Sequence, residues 1–400
     1  MREWLLRLGL LLFGVGLALG VGLVGLQLIG QQRLVEQVTA PCEPAVEVWM
    51  IVEVLHDYRQ PCSSFYWDMY PTDEFYNLIT LNNYGLHDTN LTLDKPDDVY
   101  RILIVGDSFP QGWQVTLQEG FPWLLEQQLN ADFDRPVEII NLSVDTYGTD
   151  RQLLLYSVLG WRFQPDVVLL AFYLGNDVKD NYKPLVGYAD GFYDFPYPIF
   201  SLADDQQLTL HNIQPLDPAR FPDSPVWAWL ADHAAEETPA PEIIPPTVPR
   251  VTKTQPRQLE YPVDLGLYLP EDDNWGAAWS LSEALVLQFR DLVQASGSRF
   301  GVLVIPDRRA VHASEWDTTT RLFPVVRGMN PLAPGDRLDA FLAQNQIPAL
   351  NLTYALSGWA LAHPNEYLYY PGDGHFNANG HAVSAQRIRY WLTEVGWVPG

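Results

Sequence analysis

The chain has 400 residues, long enough for one large domain or two, and 47% of them are hydrophobic, ample for a packed interior. It carries 24 Lys and Arg against 49 Asp and Glu, a formal net charge of -25. That balance argues against nucleic acid and against an anionic lipid surface as partners, and it suits a solvated protein outside the cytoplasm.

Residues 8–30, LGLLLFGVGLALGVGLVGLQLIG, carry no charge. At a rise of about 1.5 Å per residue such a helix spans a hydrocarbon core of about 30 Å. Arg2 and Arg7 precede it and favour a cytoplasmic N-terminus. The reading is a signal anchor over residues 1–30: a single-pass cell-membrane protein with the rest of the chain on the extracytoplasmic side. The alternative is a protein secreted after signal cleavage. Against it, the apolar run exceeds the usual core of roughly 7–15 residues. Its small-x-small candidate, Val38-Thr39-Ala40, lies far downstream and precedes Pro41.

The two cysteines, Cys42 and Cys62, follow the apolar run. An oxidising compartment allows a bridge between them, and two free buried thiols are the alternative. Residues 31–98 read as a juxtamembrane extracytoplasmic segment rich in Tyr, Asn and Asp, with no long periodic element.

From residue 99 to about 396 the pattern changes to alternating strands and helices. RILIVG (101–106) reads as a buried strand and FPWLLEQQLN (121–130) as a helix. PVEIINL (136–142) is a strand, DRQLLLYSVLG (150–160) a helix stopped at Gly160, and PDVVLLAFYLG (165–175) a buried strand. The segment 279–297 is helical, with an N-cap choice at Ser280 or Ser282 and a glycine stop. RFGVLVIP (299–306) and IPALNLT (347–353) are strands, and 378–395 is a closing helix. Strands that are apolar throughout and alternate with helices predict an α/β fold with a parallel sheet covered on both faces. Such sheets place their sites at the carboxyl ends of the strands.

The alternation breaks over about 184–274. The segment GYADGFYDFPYPIF is aromatic, and Pro239, Pro241, Pro245, Pro246, Pro249, Pro256 and Pro262 exclude regular helix or central strand. An insertion of that length inside a compact domain serves as a functional lid or a spacer.

Polar clusters follow four of the strands or their connections. Ser108 follows the first, Asn141 to Gly148 the second, Asn176-Asp177 the third, and Asp373-Gly374-His375 comes after the last. A serine, an amide donor and a histidine two residues from an aspartate are the components of acyl transfer. Ser108 would attack a carbonyl carbon, His375 would take its proton through Nε2, and Asp373 would orient the imidazole. The oxyanion would be met by the Asn176 amide and by backbone N–H groups at Ser108 and near Thr146. The helix opened by Ser108 adds its dipole. Taken singly, each cluster has a plainer reading. Ser108 can be a helix cap beside Asp107, Asn176-Asp177 a turn pair, and Asp373 with His375 a surface pair. The spacing of His363, His375 and His381 matches no metal-ligand pattern, and His381 reads as structural. No metal and no cofactor is expected.

The chain resembles the SGNH/GDSL hydrolase superfamily over about residues 82–395, in particular its membrane-anchored or secreted bacterial branch. RILIVGDSFPQG is similar to its first block, IINLSVDTYGTD to its second, LAFYLGNDVKDN to its third and GDGHFNANGH to its last. The resemblance implies a three-layer α/β/α flavodoxin-like sandwich with a parallel sheet. It also implies a Ser108–His375–Asp373 triad and an oxyanion hole from Ser108, Thr146 and Asn176. Two positions depart from the pattern. Thr146 stands where the family usually has glycine, and Gly148 nearby is expected to serve the following turn. Asp373-x-His375 is one residue shorter than the common spacing, as in polysaccharide-modifying relatives.

The expected activity is cleavage of ester bonds through an acyl-serine, on an acylated carbohydrate, such as an O-acetyl glycan, or a small ester. The sugar rests on Tyr188, Phe192, Tyr193, Phe195 and Tyr197, interleaved with Asp190 and Asp194; ordinary packing of a cover is their plainer role. The alternatives are a polysaccharide O-acetyltransferase using the same residues, and an anchored glycan-binding or scaffold module without catalysis, which the Thr146 departure supports.

Overall fold

The computed structural model describes residues 42–45, 47–48, 55, 60–69, 72–190, 198–203, 207–211, 228–229, 232 and 261–398, with 187–190 described in backbone only. The expected anchor at 1–30, most of the proline-rich run and the aromatic side chains at 188–197 lie outside the described residues. Among the described residues no helix is long and apolar enough to cross a membrane. The chain divides into two compact units, Met1–Pro44 and Ala45–Gly400. Every element below belongs to the second. Cys42 and Cys62 are both disulfide-bonded.

The unit opens on an antiparallel hairpin, β1 (Ser64–Asp68) and β2 (Tyr76–Thr80), with Trp67 opposite Asn77. Phe65 and Trp67 on its inner side pack edge-on against Trp113, at 5.1 and 5.0 Å between ring centroids. Five-residue strands are too short to show as a long periodic element, which is why this stretch read as irregular.

There follow β3 (Tyr100–Gly106), α1 (Ser108–Gln111), α2 (Phe121–Asp132), β4 (Val137–Ser143), α3 (Thr149–Val158) and β5 (Val167–Tyr173). Next come α4 (Asp177–Asn181), α5 (Lys183–Asp190), β6 (Ile199–Leu202), β7 (Leu208–His211) and α6 (Asp273–Ala295). The chain continues through β8 (Arg299–Ile305), α7 (Arg308–Val311), α8 (Ala313–Leu322), α9 (Ala333–Gln344), β9 (Ala349–Asn351), α10 (Thr353–Ala362) and α11 (Ala378–Glu394).

The central sheet has five strands in the order β4-β3-β5-β8-β9, all parallel. This is the flavodoxin-like order, in which the chain reverses direction across the sheet between its first and third strands. Alternate residues of each strand feed two separate cores. Leu103, Val105, Leu170, Phe172 and Val302 face one core, which α3, α6 and α9 cover through Leu154, Leu285 and Leu342. Ile102, Ile104, Leu169, Leu303 and Ile305 face the other, closed by α2, α10 and α11 through Leu125, Leu356 and Ile388. Three layers result. Because side chains are buried on both faces, β3 is apolar at almost every position, and truncating a core leucine such as Leu170 to alanine costs about 2–5 kcal/mol. Arg101 at the start of β3 is the buried exception. Its Nε donates to Glu138 Oε2 at 2.6 Å and its Nη1 to the Phe163 carbonyl at 2.6 Å.

Helix α6 begins earlier than expected. Its N-cap is Asp272, whose Oδ1 accepts from the N–H groups of Asn274 and Trp275 at 3.1 and 2.9 Å. Ser280 and Ser282 lie inside the helix and bond back to the carbonyls of Gly276 and Ala278. The helix does stop at a glycine: Gly297 has a φ of +84°. The described part of the 184–274 insertion contains α5 and the antiparallel hairpin β6–β7, whose β6 lies against α6.

Candidate active site

Three of the four predicted clusters start at carboxyl ends of sheet strands. Ser108 is two residues past β3, Thr146 three past β4 and Asn176 three past β5. Asp373 and His375 lie on the turn before α11. The crevice between β3 and β5 is the point where the strand order reverses, the usual place for a ligand in such sheets.

Ser108 Oγ lies 2.7 Å from His375 Nε2. On the other side of the ring, Nδ1 lies 2.7 Å from Asp373 Oδ1, which also accepts the His375 backbone N–H at 3.1 Å. The short Asp-x-His spacing is therefore compatible with a continuous relay. Gly374 between them has a φ of +92°, a left-handed conformation natural to glycine, and this bend lets the carboxylate turn back onto the backbone N–H and Nδ1 of His375.

The ring is packed as well as bonded. Phe109 lies 5.0 Å from it, and Phe109 in turn contacts Tyr173 at 4.1 Å and Phe376 at 4.9 Å. Burial pulls the His375 pKa down, but the Asp373 hydrogen bond and charge outweigh it and hold the imidazole above its ordinary value. For Asp373, burial pushes upward, and hydrogen bonding and charge from His375, with a further bond from Gln114, bring the carboxyl below its ordinary value. Each partner stabilises the charged form of the other, as a base and its orienting acid require.

Asp107 caps α1: its Oδ1 accepts the Phe109 N–H at 3.0 Å. The capping role considered for Ser108 thus falls to its neighbour, leaving the Ser108 hydroxyl for His375. Burial drives the Asp107 carboxyl up to about 7, against the pull of the Phe109 N–H and of His375. Asp177 is fully buried and accepts from Tyr173 N at 2.8 Å and Gln152 Nε2 at 3.3 Å. Burial, reinforced by Asp107, holds its carboxyl well above the ordinary range, and the two N–H groups it accepts brace the turn between β5 and α4. The expected dipole contribution at Ser108 shrinks, because α1 has only four residues. What remains is the local N–H group.

The oxyanion donors are arranged unevenly. The N–H groups of Val144, Asp145 and Tyr147 are bonded to Gly106 O, Gln111 Oε1 and Val144 O. Those of Ser108 and Thr146 have no acceptor among the described residues. Asn176 opens α4, and its Oδ1 is buried without a partner. Thr146 has a φ of +67°, a conformation a β-branched residue adopts at a cost and a glycine freely. Gly148 is the N-cap of α3 with an ordinary φ of -73°. Glycine is needed there for space, since a Cβ would lie 2.7 Å from Asn181 Oδ1.

The other two histidines of the trio considered for a metal, His363 and His381, stand apart from this relay. His381 is buried, accepts the Phe121 N–H on Nδ1 at 3.2 Å, and is pulled down to about 3 by burial, so it is a neutral structural residue. His363 stacks on Trp359. No cluster of metal-ligating side chains occurs among the described residues. Two site residues have no local sequence signal: Gln114, and Glu74, which bonds the backbone of the Asp373 turn.

No protein-family profile and no curated protein matches the chain. Among solved structures it is similar to a two-domain esterase active on acetylated mannans, at 12% identity and a TM-score of 0.38, over 76% of this chain and 51% of that one. The chain thus spans about half the length of that relative. It is also similar to an acetyl xylan esterase, at 11% identity and a TM-score of 0.38 over 73% and 98% of the two chains. A third is an esterase from Pseudoalteromonas sp., at 12% identity and a TM-score of 0.34 over 75% and 98%. Likeness of this degree carries no weight beside the site geometry.

Proposed function

We propose that the protein is a serine esterase of the SGNH/GDSL type. The observation that carries this reading is the continuous pair of 2.7 Å contacts, Ser108 Oγ to His375 Nε2 and His375 Nδ1 to Asp373 Oδ1. His375 accepts the serine proton as Oγ bonds to the carbonyl carbon of an ester. The tetrahedral oxyanion is met by the N–H groups of Ser108 and Thr146 and the Asn176 amide, each such donor being worth about 10²–10³ in rate. His375 then gives the proton to the departing alcohol, leaving an acyl-serine. Water, deprotonated by the same imidazole, releases the acid and restores Ser108.

The finer reading is an extracytoplasmic enzyme removing O-acyl groups, chiefly acetyl, from a glycan. Its supports are the uncharged run at 8–30, the two disulfide-bonded cysteines and the aromatic run at 188–197. The test is p-nitrophenyl acetate hydrolysis by the wild type and by Ser108→Ala, then acetate release from acetylated polysaccharides with and without unacetylated glycan acceptors. Wild-type turnover that is lost in Ser108→Ala supports the esterase. Acetate appearing on the acceptor in place of free acetate would make it a transferase, and absence of turnover would favour the non-catalytic module.

A further inference from the structure

The turn that carries Asp373 and His375 is held from outside the sheet-and-helix core. Glu74, in the connection between β1 and β2, accepts the Gly372 N–H on Oε1 at 2.8 Å and the Asp373 N–H on Oε2 at 2.9 Å. One carboxylate thus grips two consecutive peptide groups of the turn, with charge-assisted bonds that are shorter and stronger than neutral ones. Each of the two Glu74 oxygens accepts one N–H of the turn.

Other contacts fit the same connection to the same turn. The Phe75 ring packs against Tyr370 at 5.2 Å. A Cβ on Gly372 would lie 2.8 Å from Glu74 Oε2 and 2.9 Å from Thr72 Cγ2, so glycine at 372 makes the close approach possible. Within the turn, Tyr370 N–H donates to the His375 carbonyl and Gly374 N–H to the Tyr370 carbonyl, both at 2.8 Å. Arg308 Nη1 donates to the Pro371 carbonyl at 2.6 Å. The segment that presents the Asp373 carboxylate to His375 is therefore fixed by Arg308 at residue 371 and by Glu74 at residues 372 and 373.

We infer that Glu74 is a positioning residue for the acid–base pair, and that the β1–β2 hairpin is thereby part of the catalytic apparatus. By fixing the peptide groups at 372 and 373, Glu74 sets the height and angle at which Asp373 Oδ1 meets His375 Nδ1. The inference rests on the esterase reading above for its kinetic consequence, but its structural consequence is independent of it.

The experiment compares the full chain with Glu74→Ala, Glu74→Gln, Gly372→Ala and the Glu74→Ala/Gly372→Ala double variant. With p-nitrophenyl acetate, Glu74→Ala and Gly372→Ala are expected to lower kcat on the order of ten- to a hundredfold with little change in KM, the signature of a misplaced catalytic group. The acid limb of the kcat profile moves to lower pH, because a looser Asp373 supports the charged imidazole less. Glu74→Gln, which keeps one acceptor oxygen, recovers part of the loss. The double variant is no worse than the poorer single one, as expected of two changes to one contact. Rates are taken per serine titrated to completion with a fluorophosphonate, so that slower labelling does not mask the loss and unfolded protein is not counted.

Independently of activity, proton NMR of the wild type is expected to show the downfield His375 Nδ1–H resonance of a strong carboxylate bond, and Glu74→Ala to broaden or lose it. The inference is overturned if kcat per reactive serine, the acid limb and that resonance are all unchanged in Glu74→Ala. If the wild type cleaves no ester, the esterase reading falls, and the resonance alone decides the role of Glu74.

Discussion

Ser108 and His375 are separated by 267 positions in the chain, and 2.7 Å separates the hydroxyl of one from the ring of the other. The sheet makes this meeting possible. The carboxyl end of β3 delivers Ser108 to the rim, and the turn before α11, clamped by Arg308 and Glu74, delivers His375. The Phe109 ring, immediately after the serine, forms the bed on which the imidazole rests.

The pH dependence follows from the His375–Asp373 pair. Burial lowers the His375 pKa and Asp373 raises it by more, so it stands above its ordinary value of 6.5. The neutral imidazole is the active base, so kcat/KM falls as pH drops through that raised pKa. In Asp373→Asn the carboxylate support is lost, the limb moves to lower pH, and kcat falls about 10⁴-fold. A pH–rate profile from pH 5 to 9 checks both; an unmoved limb would remove Asp373 from its assigned role.

Asn176 is expected to act on the transition state rather than on the ground state. Asn176→Ala should lower kcat about 10²–10³-fold while KM changes little, since the amide meets charge only as it develops. Steady-state kinetics on one soluble ester decides it. A rise in KM alone would make Asn176 a binding residue.

Thr146 holds a left-handed backbone that a β-branched side chain resists. Thr146→Gly removes that strain, at the cost of a more flexible unfolded chain, and should stabilise the fold by about 1 kcal/mol. Urea denaturation measures this. A variant less stable than the wild type would mean that the threonine side chain contributes contacts that outweigh the strain.

Asp88 and Glu126 should shape stability near neutral pH. Burial pushes Asp88 up from 3.8 to about 8, against the Asn141 N–H that Oδ2 accepts, and pushes Glu126 up from 4.5 to about 7, against the Ile139 N–H. A carboxyl raised on folding contributes stability that is fully present below its unfolded pKa and is lost as pH rises through its folded one. The Tm should therefore decline between about pH 5 and 8, and decline less steeply in Asp88→Asn. Parallel Tm–pH curves for the two proteins would refute the assignment.

The strands were legible in the sequence because both faces of the sheet are buried, which makes each strand a continuous apolar run. The rim residues were legible because they follow those runs directly: Ser108 after β3, Asn176 after β5. The start of α6 is less legible: Ser280 and Ser282 are both cap-forming residue types, yet they lie inside the helix, and the cap is Asp272. Helices α7 to α10, between β8 and the last turn, have no strong periodic signal in the sequence. The sequence of α8, ASEWDTTTRL, buries only Thr319 and has no apolar stripe to mark it. Glu74 had no local signal at all, because its partners lie 298 and 299 positions away and are backbone groups, which the side-chain sequence does not display.

The central claim is that the Ser108 hydroxyl is made nucleophilic by His375. Mass spectrometry of the protein after exposure to a fluorophosphonate tests it most directly. A single covalent adduct is expected, mapping to Ser108 in the tryptic peptide 102–151, since the Arg135–Pro136 bond is not cut. Labelling should be slowed by at least about a hundredfold in His375→Ala, since loss of the general base removes the activation of the serine. Label on another residue, or equal labelling of Ser108 with and without His375, would contradict the account.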